Sequence, residues 1–212
     1  QMWSRYDYIA SISPKCTEGF LKVFPELKDK IIEISNINAE HLIRIQSKEK
    51  ITDDMQVKSG EICLCSIGRF AYAKNFDHIP AIAKKIKEKN INFKWFIIGY
   101  GGDEQLIHDK IKESGMEDEV IILGKKANPY PYIKAADSFI CSSRSEGFST
   151  VATEAMILQK PIFTTDCAGM KELFGEYDCG MICKNSEDGL KRMLEEVFAK
   201  ENFDEYQQDI KK

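Results

Sequence analysis

Two glutamates stand eight residues apart in the run Ser142-Ser143-Arg144-Ser145-Glu146-Gly147-Phe148-Ser149-Thr150-Val151-Ala152-Thr153-Glu154. An ionised carboxylate accepts hydrogen bonds from paired hydroxyls, and its charge strengthens them. The apolar run Ser138-Phe139-Ile140-Cys141 reads as a strand before them, and a helix is predicted from about Thr150 to Leu158. Gly147 permits a tight turn, and Ser149 or Thr150 can cap the helix. The helix start then offers N–H donors to an anionic ligand. One carboxylate in the turn and one about two turns down the helix could hold two hydroxyl-bearing parts of one ligand. Spacing alone leaves open that both are ordinary solvated glutamates. Glu154, however, falls between Val151, Ala155 and Leu158, close to the presumed core face. A carboxylate there needs a partner.

Two earlier turns can also meet a ligand. Ser66-Ile67-Gly68-Arg69-Phe70 ends an apolar run, and Lys74-Asn75 follows. Glycine at a strand end lets backbone approach a ligand, and an arginine and a lysine five apart can converge on an anion such as a diphosphate. A solvated basic pair is the competing reading. Ile97-Ile98-Gly99-Tyr100-Gly101-Gly102-Asp103 ends another strand and opens a helix, with Asp103 at the cap position. Its spacing is G-x-G-G and not that of a dinucleotide loop, so it reads as a tight turn.

These turns need a frame. Apolar runs at Ile62–Ile67, Phe93–Ile98, Val120–Leu123, Ser138–Cys141, Pro161–Thr164 and Met181–Cys183 alternate with helical patterns. The helices are expected from Phe76 to Ile86, with Pro80 in the first turn, then over Glu104–Ser114, Tyr130–Ala135, Thr150–Leu158 and Glu187–Ala199. Such alternation implies βαβ units and an α/β, Rossmann-like, doubly wound parallel sheet. Its ligands bind at the carboxyl ends of the strands. Before it lie a short strand at Tyr8–Ile12, a helix at Thr17–Phe24 and a strand at Lys30–Ile34. Gln46–Gly60 is polar and lacks an apolar period, so it reads as a linker or exposed loop.

Bulk composition narrows the function. Hydrophobic residues make up 43% of 212, enough for a real core. A net charge of −4 argues against a general nucleic-acid binder. The seven cysteines include Cys63, Cys65 and Cys141 inside apolar runs, as expected of buried free thiols in a reducing, cytosolic setting. Cys179 and Cys183 lack nearby metal-ligand partners in sequence, so no zinc site is expected. No run reaches the length of a membrane span, and the polar start Gln1-Met2-Trp3-Ser4-Arg5 has no leader pattern.

Taken together, the turns resemble the C-terminal, donor-binding domain of the retaining, GT-B-fold group 1 (family 4) glycosyltransferases, over roughly Ile62 to Phe198. Gly68-Arg69-Phe70 with Lys74-Asn75 looks like the family's diphosphate clamp. Phe96 to Gly101 is similar to its second-strand glycine turn. Val120 to Gly124 with Asn128-Pro129-Tyr130 resembles the segment flanking the nucleobase. Glu146 to Glu154 looks like its E-x7-E motif, and Gly169-Met170-Lys171-Glu172 like a later turn. Ser149 stands where the family usually has proline.

The resemblance implies a hexosyltransferase acting on a nucleotide diphosphate sugar, a UDP-sugar in preference to a GDP-sugar, with no cofactor and no metal. Arg69 and Lys74 would neutralise the diphosphate beside Gly68. Glu146 would hold hydroxyls of the transferred sugar, and Glu154 those of the ribose. Gly147, Phe148, Ser149 and Thr150 would line sugar and phosphate, and backbone from Gly124 to Lys126 would meet the base. Residues 1–45 would be a remnant of the acceptor-binding domain and its interdomain link, 46–60 a linker, 61–200 the nucleotide-sugar domain and 201–212 a helical tail. The acceptor, a glycan or lipid-linked sugar, would be met through the missing N-terminal domain. His41, His78 and His108 match no family motif and read as ordinary histidines. The implied setting is polysaccharide or glycolipid synthesis in the cytoplasm, at the inner membrane face, with peripheral membrane contact. A GT-B-like epimerase or phosphorylase and a non-catalytic nucleotide-sugar-binding domain are the alternatives.

Overall fold

The computed structural model describes residues 2–34, 37–51, 54–167, 169–174 and 179–198. Its centre is a six-stranded parallel sheet of β3 (Ile62–Arg69), β4 (Phe93–Tyr100), β5 (Val120–Gly124), β6 (Ser138–Cys141), β7 (Ile162–Thr165) and β8 (Gly180–Cys183). The strands lie in the order β5-β4-β3-β6-β7-β8. Chain order therefore reverses between β3 and β6, which pair directly through Leu64–Ser138 and Cys65–Phe139. That switch point opens a crevice beyond the strands' carboxyl ends.

Helices cover both faces, which is why β3 and β4 read as unbroken apolar runs. Leu64, Trp95 and Ile97 point to one face, against Ile79, Ile82, Ala83 and Ile86 of α3 (Ile79–Lys87). The same face packs Ile107 and Ile111 of α4 (Glu104–Ser114) and Leu190 and Leu194 of α8 (Glu187–Val197). Cys63, Cys65, Phe96 and Ile98 point to the other face, against α5 (Tyr130–Ala135), α6 (Thr150–Ile157) and α7 (Met170–Phe174). Alternate strand residues thus supply opposite cores.

The glycine turn after β4 is a packing device. A Cβ on Gly99, whose φ is +154°, would come within 1.9 Å of the Gly68 carbonyl oxygen. Only glycine lets the ends of β3 and β4 close up there. Asp103 occupies the cap position of α4 but its side chain makes no capping hydrogen bond.

Ahead of the sheet, β1 (Ile9–Ser11) and β2 (Ile31–Glu33) pair in parallel around α1 (Pro14–Val23). A short helix, α2 (Glu40–Gln46), follows, with Ile43 its buried residue. Over 46–60, expected as a linker or exposed loop, most described residues are exposed, with a few contacts to the sheet domain. Ile51 and Met55 pack against the second core, and Asn128 Nδ2 donates to the Gln46 carbonyl at 3.0 Å. Two half-buried apolar residues among mostly exposed polar ones give too little signal for a helix or strand, so the segment reads as a loop. After the left-handed Asn75 (φ +61°), Phe76–His78 forms a 3-10 turn, and the α-helix begins at Ile79 rather than Phe76. The expected tail over 201–212 lies outside the described residues. Among the described residues no helix is long and apolar enough to cross a membrane.

Candidate functional site

At the switch point the segment after β3 is stitched to the segment after β6. The Ser142 hydroxyl donates to the Lys74 carbonyl at 3.0 Å, and Asn75 Nδ2 donates to the Ser142 carbonyl at 3.0 Å. The Arg144 amide donates to the Ala73 carbonyl at 2.8 Å. These bonds hold the 3-10 turn Tyr72–Lys74 against the Ser142–Glu146 loop. Gly68 leaves room for the lysine: a Cβ there would stand 3.3 Å from Lys74 Cδ and Cε.

Lys74 Nζ accordingly reaches Glu146 Oε1 and pairs with it. The Ser143 hydroxyl donates to the same oxygen at 3.1 Å. Glu146 keeps only 4% side-chain exposure and Lys74 keeps 26%. Burial pulls the Lys74 ammonium below the usual lysine range, with the thiols of Cys141 and Cys167 working the other way. Glu146 Oε2 is buried and accepts no hydrogen bond from any described residue. An ionised carboxylate oxygen in that state costs free energy unless a donor reaches it.

Eight residues on, Glu154 sits on α6 facing α5, where the Tyr130 hydroxyl donates to its Oε1 at 3.2 Å. Burial raises its carboxyl above the usual glutamate range, and the tyrosine lowers it only in part. The predicted partner is thus present. The Ser149 hydroxyl caps α6 by accepting the Ala152 amide at 3.4 Å, while Thr150 is the exposed first residue of the helix. Gly147 and Phe148 are half-buried, and the Gly147 carbonyl meets the start of α1: Ser13 Oγ lies at 3.4 Å and Cys16 Sγ at 3.8 Å.

The two cations of the expected clamp, Arg69 and Lys74, differ in their surroundings. Arg69, at the end of β3, is exposed with no ion pair to any described residue, whereas Lys74 is committed to Glu146. Sequence spacing cannot reveal that a carboxylate 72 residues away competes for the ammonium. Lys126 follows Gly124 (φ +68°) at the end of β5, but its ammonium is turned to Asp54 and lies 5.4 Å from the Tyr132 ring centre. Only its backbone is left for a ligand.

Arg144, which carries no signal in the sequence, organises this loop. Its guanidinium takes Asp77 in two bonds of 3.0 and 2.9 Å, donates to the Tyr72 carbonyl at 2.6 Å and lies 4.2 Å from the Tyr72 ring centre. Nothing in the sequence marks a pairing of that range. His78 stands 3.5 Å from Asp77 and 3.3 Å from Glu187, and His41 and His108 are exposed.

The arrangement has relatives. A 29% identical relative is the N-acetylgalactosamine-N,N'-diacetylbacillosaminyl-diphospho-undecaprenol 4-alpha-N-acetylgalactosaminyltransferase of Campylobacter jejuni, aligned over 88% of this chain and 46% of that protein. N-acetyl-alpha-D-glucosaminyl L-malate synthase of Bacillus anthracis is also 29% identical, over 84% of this chain and 46% of that protein. The chain therefore spans about half the length of these relatives. Anabaena HepE, solved with UDP and glucose, superposes with a TM-score of 0.77 at 15% identity, covering 96% of this chain and 57% of that one. S. aureus TarM, solved with fondaparinux, alpha-GlcNAc-glycerol and UDP, gives 0.72 at 20% identity, covering 98% and 41%. At such identities the likeness shows the fold, a doubly wound parallel sheet shared with GT-B glycosyltransferases. The family model "Glycosyl transferases group 1" matches residues 47–212, a span that holds Arg69, Lys74, Glu146 and Glu154, and the chain belongs to that family.

Proposed function

We propose that this chain is the donor-binding half of a hexosyltransferase that uses a nucleotide diphosphate sugar and retains the configuration of the transferred sugar. The observation that carries the reading is Glu146. A buried carboxylate with one unpartnered oxygen stands beside a cation at the switch point of a doubly wound sheet. A sugar hydroxyl is the donor that oxygen lacks.

Around it the roles follow from chemistry. Exposed Arg69 and the Lys74 ammonium stabilise the diphosphate as it departs with the charge of the broken glycosidic bond. Those two cations do the work of a divalent metal, so the reading calls for none. Glu154, already charge-strained by burial, accepts the ribose hydroxyls beside Tyr130. The first amides of α6, at Ser149 and Thr150, face the phosphates. Backbone from Gly124 to Lys126 meets the base. UDP in the HepE and TarM complexes favours a uridine nucleotide. The C. jejuni relative's name, with its diphospho-undecaprenol, supports a lipid-linked acceptor.

Isothermal titration of the chain with UDP and GDP tests the reading. UDP is expected to bind, and Arg69→Ala and Glu154→Ala each to weaken it about tenfold or more, as lost charge-assisted bonds of about 1.5–3 kcal/mol require. Silence with both nucleotides at roughly millimolar concentration, or undiminished binding by the double variant, rejects it.

A further inference from the structure

The pairing of Lys74 with Glu146 has a consequence for which ligand the site prefers. One ammonium faces a carboxylate that is buried and held by Ser143. The Lys74 backbone is held by the hydrogen bond on its carbonyl, and its stem runs over Gly68 to the carboxylate. A diphosphate that draws on this ammonium must share it with an anion that does not leave. Two anions on one cation repel each other, and weak internal screening makes the repulsion strong.

We infer that Glu146 is a discriminating residue that weakens the nucleoside diphosphate product and so favours the intact nucleotide sugar. The inference rests on the nucleotide-sugar reading of the site. With the donor bound, a sugar hydroxyl donates to Glu146 Oε2, the buried oxygen that no described residue reaches. That bond offsets the repulsion. After transfer the hydroxyl leaves with the sugar. The product then carries one more negative charge, next to a carboxylate whose second oxygen has lost its donor. The site expels UDP and recovers the Lys74–Glu146 pair. A carboxylate serves both ends of this exchange, because it accepts in the donor complex and repels in the product complex. A neutral amide would do only part of the first and none of the second.

The test is titration of the wild-type chain and Glu146→Gln with UDP and GDP, with Lys74→Ala as a reference. The wild type is expected to bind UDP weakly. Glu146→Gln is expected to bind it about tenfold more tightly, about 1.4 kcal/mol, and Lys74→Ala to bind it less well than the wild type. Should Glu146→Gln fail to fold, Glu146→Asp withdraws the charge by one methylene and is expected to tighten UDP by a smaller factor. UDP binding by the wild type with no gain in the folded Glu146 variant overturns the inference alone. Silence with both nucleotides in every variant overturns the nucleotide-sugar reading and this inference with it.

Discussion

Tyr130 and Glu154 close the gap between α5 and α6 with a hydrogen bond of 3.2 Å, and it is the bond by which the fold supports a carboxylate it would otherwise expel. Burial still wins, and the Glu154 carboxyl lies above its ordinary value of 4.5. A raised acid means the folded chain holds the proton more tightly than the unfolded chain. Its contribution to stability is present below the unfolded value and lost as pH rises through the folded one. Glu154→Gln is therefore expected to raise the melting temperature of the ligand-free chain at pH 7, and to raise it less at pH 4. The same substitution should weaken UDP about tenfold, as charge-assisted bonds to ribose become neutral ones. Equal stabilisation at both pH values would show that the carboxylate is not strained.

Gly99 gives a sharper stability test. An alanine Cβ there would meet the Gly68 backbone carbonyl oxygen at 1.9 Å, at a φ of +154°. No side chain can move aside to relieve it. Gly99→Ala is expected to cost about 3 kcal/mol or more. Urea unfolding should show a lower midpoint with an unchanged slope. An intact midpoint would mean that β3 and β4 separate more easily at their ends than the close approach implies.

The sheet was legible because its strands are buried on both faces and a covering helix such as α3 carries an apolar stripe, Ile79, Ile82, Ala83 and Ile86. Local chemistry was legible too: Ser149 caps α6, and Glu154 has the partner its apolar neighbours demanded. What could not be read depends on pairing across long spans. Lys74 meets Glu146, Asp77 meets Arg144 and Asp54 meets Lys126 only after the strands are ordered in space. α2 was hidden for another reason. It is short, and Ile43 is its only buried residue, too little for a periodic signal.

The cysteines predict a labelling pattern. Burial pushes the Cys63 thiol up to about 12 and the Cys183 thiol up to about 11, and it raises Cys65 and Cys167 as well. Cys141 and Cys179 are buried. Since the thiolate is the reactive form, these groups should be slow toward a disulfide reagent at about pH 8. Cys16 is half-buried, on α1, and meets the Gly147 carbonyl. One fast thiol is expected in the native chain, lost in Cys16→Ser, and all seven after unfolding. Several fast thiols would mean that the sheet opens more readily than its packing implies.

Arg144, bound to Asp77 and to the Tyr72 carbonyl, ties the turns Tyr72–Lys74 and Phe76–His78 to the loop bearing Glu146, so its loss should register in both stability and binding. The two side chains keep 20% and 17% exposure, which places them between surface and fully buried pairs. Arg144→Ala is expected to cost about 1–2 kcal/mol, below the ~3–5 kcal/mol of a fully buried pair. Burial pushes the Asp77 carboxyl up, but the Arg144 guanidinium outweighs it and holds the group below the usual aspartate range. A depressed acid contributes stability above its unfolded pKa, and loses it as pH falls through the folded one. The gap between wild type and Arg144→Ala should therefore be widest near neutrality and narrow below about pH 4. Arg144→Lys keeps the charge but not the two-pronged geometry, so it should recover only part of the loss. A gap independent of pH would assign the effect of Arg144 to its stacking on Tyr72, and leave its charge without a role.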